Sequence, residues 1–258
     1  MWICIASGGR NHKILVDSSN SRVLDLRRRT HYSTVGVFAV ALTSSGQPTR
    51  VDWQTVKRFT LFTDLVELKL VLPEPSTEPP EPLLGISLAF PALTRVTLWY
   101  EGTDSLMHLV RNLKAPALVE MALVQEPVAP GFMGDGNNSL RDDELLRIFQ
   151  VTGRQMRSFS YQAIENETSN NMNEVESPNL TIRGFSIAIR HCPRLKNLEL
   201  SCNLGTILTN DGVLHNNLKL WSLRNKADTL SLEFGALRKW ALTAFPKATL
   251  RLLNASNT

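Results

Sequence analysis

Side chains able to do chemistry are scattered in this chain of 258 residues. His191 and Cys192 stand side by side, a pair of types that can make a thiolate nucleophile or two metal ligands. No second pair lies at ligand spacing, and an imidazole at the end of a predicted helix is accounted for by the helix dipole. Asp142, Asp143 and Glu144 form a carboxylate cluster of the kind that does acid–base work. In the first turn of a predicted helix, the same three residues complement the partial positive charge of its amino end. Arg27, Arg28 and Arg29, with Arg22 and His31, make the densest basic cluster, to which Lys57 and Arg58 can add. Such clusters contact phosphate or acidic peptides, but a solvated strand end explains them too, and the aromatic interleaving of single-strand binders is missing. Ser7-Gly8-Gly9-Arg10 is too short for a phosphate loop and lacks the following Lys-Ser/Thr. There is no nucleophile elbow, zinc motif or kinase signature. The residues therefore predict no catalytic group, no metal site and no cofactor.

What must position any functional residues is a set of repeated strands. Leu65-Val66-Glu67-Leu68-Lys69-Leu70 and Leu195-Lys196-Asn197-Leu198-Glu199-Leu200 are the clearest Leu-x-x-Leu-x-Leu units. Weaker copies begin at Leu93, Leu118 and Met156. In a strand the last two apolar residues of each unit share one face, because side chains alternate. Stacked units bury a continuous apolar row that no single unit can bury alone. Repetition of this kind points to a binding surface rather than a catalytic pocket.

The bulk properties agree with a large apolar core. Hydrophobic residues make up 43% of the chain and the net charge is +4, a mild excess that does not argue for nucleic acid. Cys4, Cys192 and Cys202 form no even framework and read as reduced thiols of an intracellular protein, in cytoplasm or nucleus. The start of the chain is too weakly apolar for a signal peptide. The longest apolar run, Val35 to Leu42, is too short for a membrane helix and reads as a buried strand.

Periodicity and breakers divide the chain into an irregular β-rich cap over residues 1–51 and a repeat domain over 52–258, with 235–253 as a closing helix–strand unit. In the cap, Ile14 to Val16, Val23 to Leu26 and Val35 to Leu42 look like strands. Asp52 to Phe62 has two readings: a strand carrying the repeat spacing, or a helix capped by Asp52. Pro73 to Pro82 is an acidic, proline-dense loop, and Asn166 to Pro178 is polar and acidic. Helices are expected over Thr103 to Leu113, capped by Thr103 or Asp104; over Ser139 to Val151, with Ser139 and Asp142 as a capping box; over Thr181 to Arg190; and over Gly235 to Phe245. Leu218 to Leu223, Thr229 to Phe234 and Thr249 to Leu253 are expected strands. Strand, loop, helix and strand thus recur about every 25 to 40 residues, the lower end of which is leucine-rich-repeat spacing. The expected fold is α/β, an irregular leucine-rich-repeat solenoid with strands on the concave face and helices on the convex face.

The phrases Phe90-Pro91-Ala92-Leu93-Thr94-Arg95-Val96-Thr97-Leu98 and Arg190-His191-Cys192-Pro193-Arg194-Leu195-Lys196-Asn197-Leu198 follow the pattern hydrophobic-Pro-x-Leu-x-x-Leu-x-Leu, and Thr63 to Leu70 and Leu113 to Leu118 carry parts of it. From about Asp52 to Leu252 the chain resembles the leucine-rich region of fungal, mushroom-type F-box proteins. The resemblance implies the substrate-binding part of a ubiquitin ligase receptor. That family's F-box, which docks on a Skp-type adaptor, has no matching segment here. Met1-Trp2-Ile3-Cys4-Ile5 instead resembles the Leu-Trp-x-x-Ile stretch that follows an F-box.

The residues between the inward apolar positions define the candidate partner-binding face: Glu67, Lys69, Val71, Arg95, Thr97, Trp99, Glu120, Val124, Gln162, Asn197 and Glu199, with Ala122, Ser158, Ser160 and Ser201 beside them. One column reads Val71, Trp99, Val124, Gln162, Ser201, its apolar members on strands about 5 Å apart. A tryptophan among aliphatics on an open sheet is a suitable anchor for a protein partner. The expected function is protein recognition, with no nucleic acid or membrane as partner. The alternatives are a stand-alone α/β enzyme with a pocket at the carboxyl edge of its sheet, or a decayed paralogue without activity.

Overall fold

The computed structural model of the chain describes residues 2–7, 10–15, 37–42, 50–72, 87–125, 140–163, 180–201, 204–205, 220–225 and 233–254. In chain order the elements are β1 (Trp2–Ser7), β2 (Arg10–Leu15), β3 (Val37–Leu42), α1 (Trp53–Phe59), β4 (Leu65–Val71), β5 (Leu88–Ala89) and β6 (Arg95–Tyr100). Then come α2 (Thr103–Asn112), β7 (Leu113–Lys114), β8 (Glu120–Gln125), α3 (Asp142–Thr152), a 3₁₀ turn (Gly153–Gln155) and β9 (Ser158–Ala163). The chain continues through β10 (Leu180–Thr181), α4 (Ile182–Ile189), β11 (Asn197–Ser201), β12 (Leu204–Gly205), β13 (Leu220–Asn225), α5 (Glu233–Ala244) and β14 (Thr249–Asn254).

The protein is a mixed α/β structure on a mostly parallel central sheet. Ten strands lie in the order β14-β13-β11-β9-β8-β6-β4-β3-β1-β2. From β3 to β14 every neighbouring pair is parallel and follows chain order, while β1 runs antiparallel to both β2 and β3. The strands nearest the amino terminus therefore continue the same sheet. Two-residue pairs, β5 with β7 and β10 with β12, form separate small ladders.

A common turn leads into six of the strands. The N–H groups of Leu65, Leu93, Leu118, Met156, Leu195 and Ala248 donate to the carbonyls three residues back, on Phe62, Phe90, Ala115, Gly153, Cys192 and Phe245. Pro91, Pro116, Pro193 and Pro246 occupy the first central position, where their fixed φ suits a turn and no N–H is needed. One residue past five of these turns, a backbone ladder stitches the units together. Thr94 N–H donates to Val66 O, Val119 N–H to Thr94 O, Arg157 N–H to Val119 O and Lys196 N–H to Arg157 O, all at 2.7–2.9 Å.

The helices pack on one face of the sheet. The inward strand residues Leu68, Leu70, Val96, Leu98, Met121, Leu123, Phe159, Leu198 and Leu200 are buried. They share one core with Val56, Leu106, Leu109, Val110, Leu145, Ile148, Phe149, Phe185 and Ile189 of α1 to α4. Each such side chain contributes about 1.5–3 kcal/mol through its burial. Phe149 of α3 meets Phe159 of β9 edge to face at 4.8 Å.

Several boundaries correct the sequence expectations. Of Asp52 to Phe62, Trp53–Phe59 form a helix, and Thr55 N–H donates to Asp52 Oδ1 at 2.6 Å, which is the expected cap. The cap of α2 is Gly102 without a side-chain bond, so Thr103 and Asp104 lie inside the first turn. Helix α3 starts at Asp142 with Arg141 as its cap. The expected Ser139 box is replaced by Glu144, whose Oε2 accepts from Arg141 N–H at 2.9 Å; Ser139 itself lies outside the described residues. Glu233 and Phe234 belong to α5 and not to a strand. Extending an existing helix costs little, and Glu233 suits its amino end. Val23 to Leu26, Pro73 to Pro82 and Asn166 to Pro178 lie outside the described residues.

Candidate functional site

The face of the sheet away from the helices carries the expected side chains in three rungs. Register places Glu67, Arg95, Glu120, Ser158 and Asn197 in one row across β4, β6, β8, β9 and β11. Lys69, Thr97, Ala122, Ser160 and Glu199 form the second, and Val71, Trp99, Val124, Gln162 and Ser201 the third. All eleven candidate residues are thus brought onto one surface. They are half-buried or exposed, with one exception.

That exception is Val71, which keeps only 5% of its surface and is not available for contact. The chain at Arg50 and Val51 runs alongside the end of β4, bridging Arg50 to Val71 and donating Val51 N–H to Val71 O at 3.2 Å. Arg50 is itself held by an ion pair with Glu101, just beyond β6. Of the expected apolar trio, Trp99 and Val124 remain half-exposed on adjacent strands.

Electrostatics hold the first two rungs at their β4 end. Glu67 accepts from Lys69 on its own strand at 3.0 Å and from Arg95 directly across at 3.1 Å. Burial works to raise the Glu67 carboxyl. The Lys69 bond and charge, and then Arg95, outweigh it and hold the group below its ordinary value. Arg95 also faces Glu120 in register on its other side, so opposite charges alternate along the row, a favourable cross-strand pattern.

The other chemistry-bearing residues serve the packing. Cys192 is fully buried, and burial pushes its thiol up to about 12; a thiol so held is not a nucleophile near neutral pH. Its neighbour His191 is exposed at the end of α4. Gly153 packs so closely on this turn that a Cβ there would stand 2.6 Å from Cys192 Sγ and 2.7 Å from the His191 carbonyl oxygen. Gly153 caps the carboxyl end of α3 with an ordinary φ of −69°; space, not backbone freedom, calls for glycine. His108, edge to face with Trp53 at 4.6 Å, is held below its ordinary value by burial and then by Arg111.

The carboxylates of α3 are each engaged. Asp142 Oδ1 accepts from the Thr181 backbone N–H at 2.7 Å and Oδ2 from the Thr181 hydroxyl at 2.6 Å. The Thr181 hydroxyl oxygen in turn accepts from Gly184 N–H at 3.0 Å and caps α4. Asp143 lies 3.8 Å from Arg141, and Glu144 binds the same guanidinium at 3.0 Å. Sequence reasoning assigned this cluster to its own helix end and missed the link from Asp142 to α4. It missed equally the bond from Tyr161 Oη to Gln125 Oε1 at 3.1 Å beneath the face. Both join residues distant in sequence and leave no local pattern.

Among the described residues, no group of three or more His, Cys, Asp or Glu side chains is placed to hold a metal ion. Nor is any helix among them long and apolar enough to cross a membrane. The basic residues Arg22, Arg27, Arg28, Arg29 and His31 lie outside the described residues. No family model, no curated protein and no solved structure matches the chain.

Proposed function

We propose that the chain is a protein-recognition module of the leucine-rich-repeat kind, a solenoid whose open sheet face receives a partner. One observation carries the reading: five successive strands present matched rungs of charged, polar and aromatic side chains on the face opposite the helices. Trp99 is its anchor. A half-exposed indole offers large contact area at low entropic cost, and such residues dominate interface energetics. Thr97 and Val124 flank it, and the ion-paired Glu67, Lys69 and Arg95 form a preset polar margin.

By its resemblance to fungal F-box proteins, the module presents a target to a ubiquitin ligase. The test is capture from fungal lysate with the wild-type chain, Trp99→Ala and Ile187→Ala, the last an exposed position on the helix side at 42%. The reading predicts proteins retained by wild type and Ile187→Ala and lost with Trp99→Ala. An unchanged set with Trp99→Ala in a folded protein contradicts it. Recovery of a Skp-type adaptor with a cullin supports the ligase role, and its absence from every bait removes that role while leaving recognition intact.

A further inference from the structure

The rim where strands enter the sheet changes character across the molecule. At the turns before β4, β6 and β8 the residues are Thr63-Asp64, Pro91-Ala92 and Pro116-Ala117, which carry one carboxylate and no cation. At the turns before β9 and β11 they are Arg154-Gln155 and Pro193-Arg194, and the next ladder positions are Arg157 and Lys196. Register brings these together although some forty residues separate them. Lys196 N–H donates to Arg157 O at 2.8 Å, so the two residues sit on adjacent strands whose backbones lie about 5 Å apart. Arg194 bonds Gln155, its counterpart in the neighbouring turn. Lys247 takes the same turn position before β14.

All five cations are exposed. None makes an ion pair with a carboxylate among the described residues. The stretches 153–163 and 180–201 contain one acidic residue, Glu199, which lies on the second rung of the sheet face. The dipole of a helix carboxyl end accounts for Arg154 beside α3. It does not account for Arg157, Arg194 and Lys196, which lie in turns and at strand entrances.

We infer that this rim, built on Arg154, Arg157, Arg194 and Lys196, is a docking surface for an acidic protein segment. Charge complementarity selects the occupant. The cations follow the strand spacing and run into Ser158 and Asn197 at the start of the first rung, so a carboxylate-rich extended segment lying there continues onto the recognition face. A protein segment is favoured over single-stranded nucleic acid because the cations are not interleaved with aromatic platforms for bases. The inference rests on the recognition reading for the class of partner, not for the site itself.

The test is fluorescence anisotropy of a labelled dodeca-glutamate peptide with the full chain at low salt. The variants are the double reversal Arg157→Glu/Lys196→Glu, and a control reversal Arg111→Glu/Lys114→Glu at exposed positions elsewhere. The rim predicts binding at least about tenfold weaker in the first double variant, within about twofold of wild type in the control, and weakened by salt. Should the double reversal fail to fold by circular dichroism, Arg157→Gln/Lys196→Gln serves instead, with about a threefold loss expected. Equal binding by both double variants overturns the inference, as does tighter binding of dodeca-thymidylate than of the peptide. Peptide binding by the rim variants reads the rim, and lysate capture by Trp99→Ala reads the face, so failure of the rim and failure of the face give different results.

Discussion

Glu67 is where the candidate face meets the chemistry of the fold. Its carboxylate joins two cations, one on its own strand and one across the sheet, and its lowered proton affinity records that pairing. A carboxyl held lower in the folded state than in the unfolded state contributes stability above the ordinary value of 4.5, and the contribution fades as pH falls through the lowered folded value. Glu67→Gln is expected to flatten the acid limb of a stability–pH curve. At neutral pH it should cost only about 0.5–1 kcal/mol, because the Lys69 and Arg95 side chains are 41% and 43% exposed and the solvent screens them. Denaturant titrations at pH 3.5 and 7 check this; an unchanged acid slope in the variant would mean that the triad is not formed in solution. The types and alternation of these residues were legible in the sequence. The partner of each charge was not, since it depends on register between units.

Elements repeat because their turns repeat. The hydrophobic-Pro-x-Leu phrase was readable as a stop for the preceding helix and an entrance to the next strand, and the turn bonds at Leu93, Leu118 and Leu195 explain why. Two-residue strands such as β5 and β7 carry no periodicity and could not be read. Nor could the close approach of α3 and α4, whose strut is Asp142 to Thr181. A Cβ on Gly184 would stand 1.9 Å from Asp142 Cγ, with both carboxylate oxygens at 2.2 Å. Gly184→Ala is therefore expected to cost about 2–4 kcal/mol by forcing the helices apart. Asp142→Ala loses both bonds to Thr181, the residue that caps α4, and costs about 1–2 kcal/mol. In the double variant the clash is relieved, so the two costs should fall short of adding, with about 1–2 kcal/mol of coupling in a thermodynamic cycle. Strict additivity would place the crowding somewhere other than the Asp142 carboxylate.

At the scale of the molecule, one face of a sequentially ordered parallel sheet is filled by helices, and the other is left to side chains that do not build the core. Strand order was legible because the Leu-x-x-Leu-x-Leu units stack only one way when each must bury its apolar pair beside the next. The antiparallel run of β1 and β2 was not, because pairing partners rather than composition decide strand direction. A solenoid predicts a small-angle scattering profile skewed to long distances, with a radius of gyration above the roughly 18 Å of a compact chain this long; a symmetric, compact profile argues for a globular α/β protein. The use of the open face is tested most directly by photocrosslinking in cells. A benzophenone-bearing phenylalanine would replace Ala122, at the middle of the second rung, or Ile187, exposed on the helix side. The face predicts discrete adducts from position 122 that are absent from position 187. Adducts from 187 alone would contradict it and move the partner to the helices.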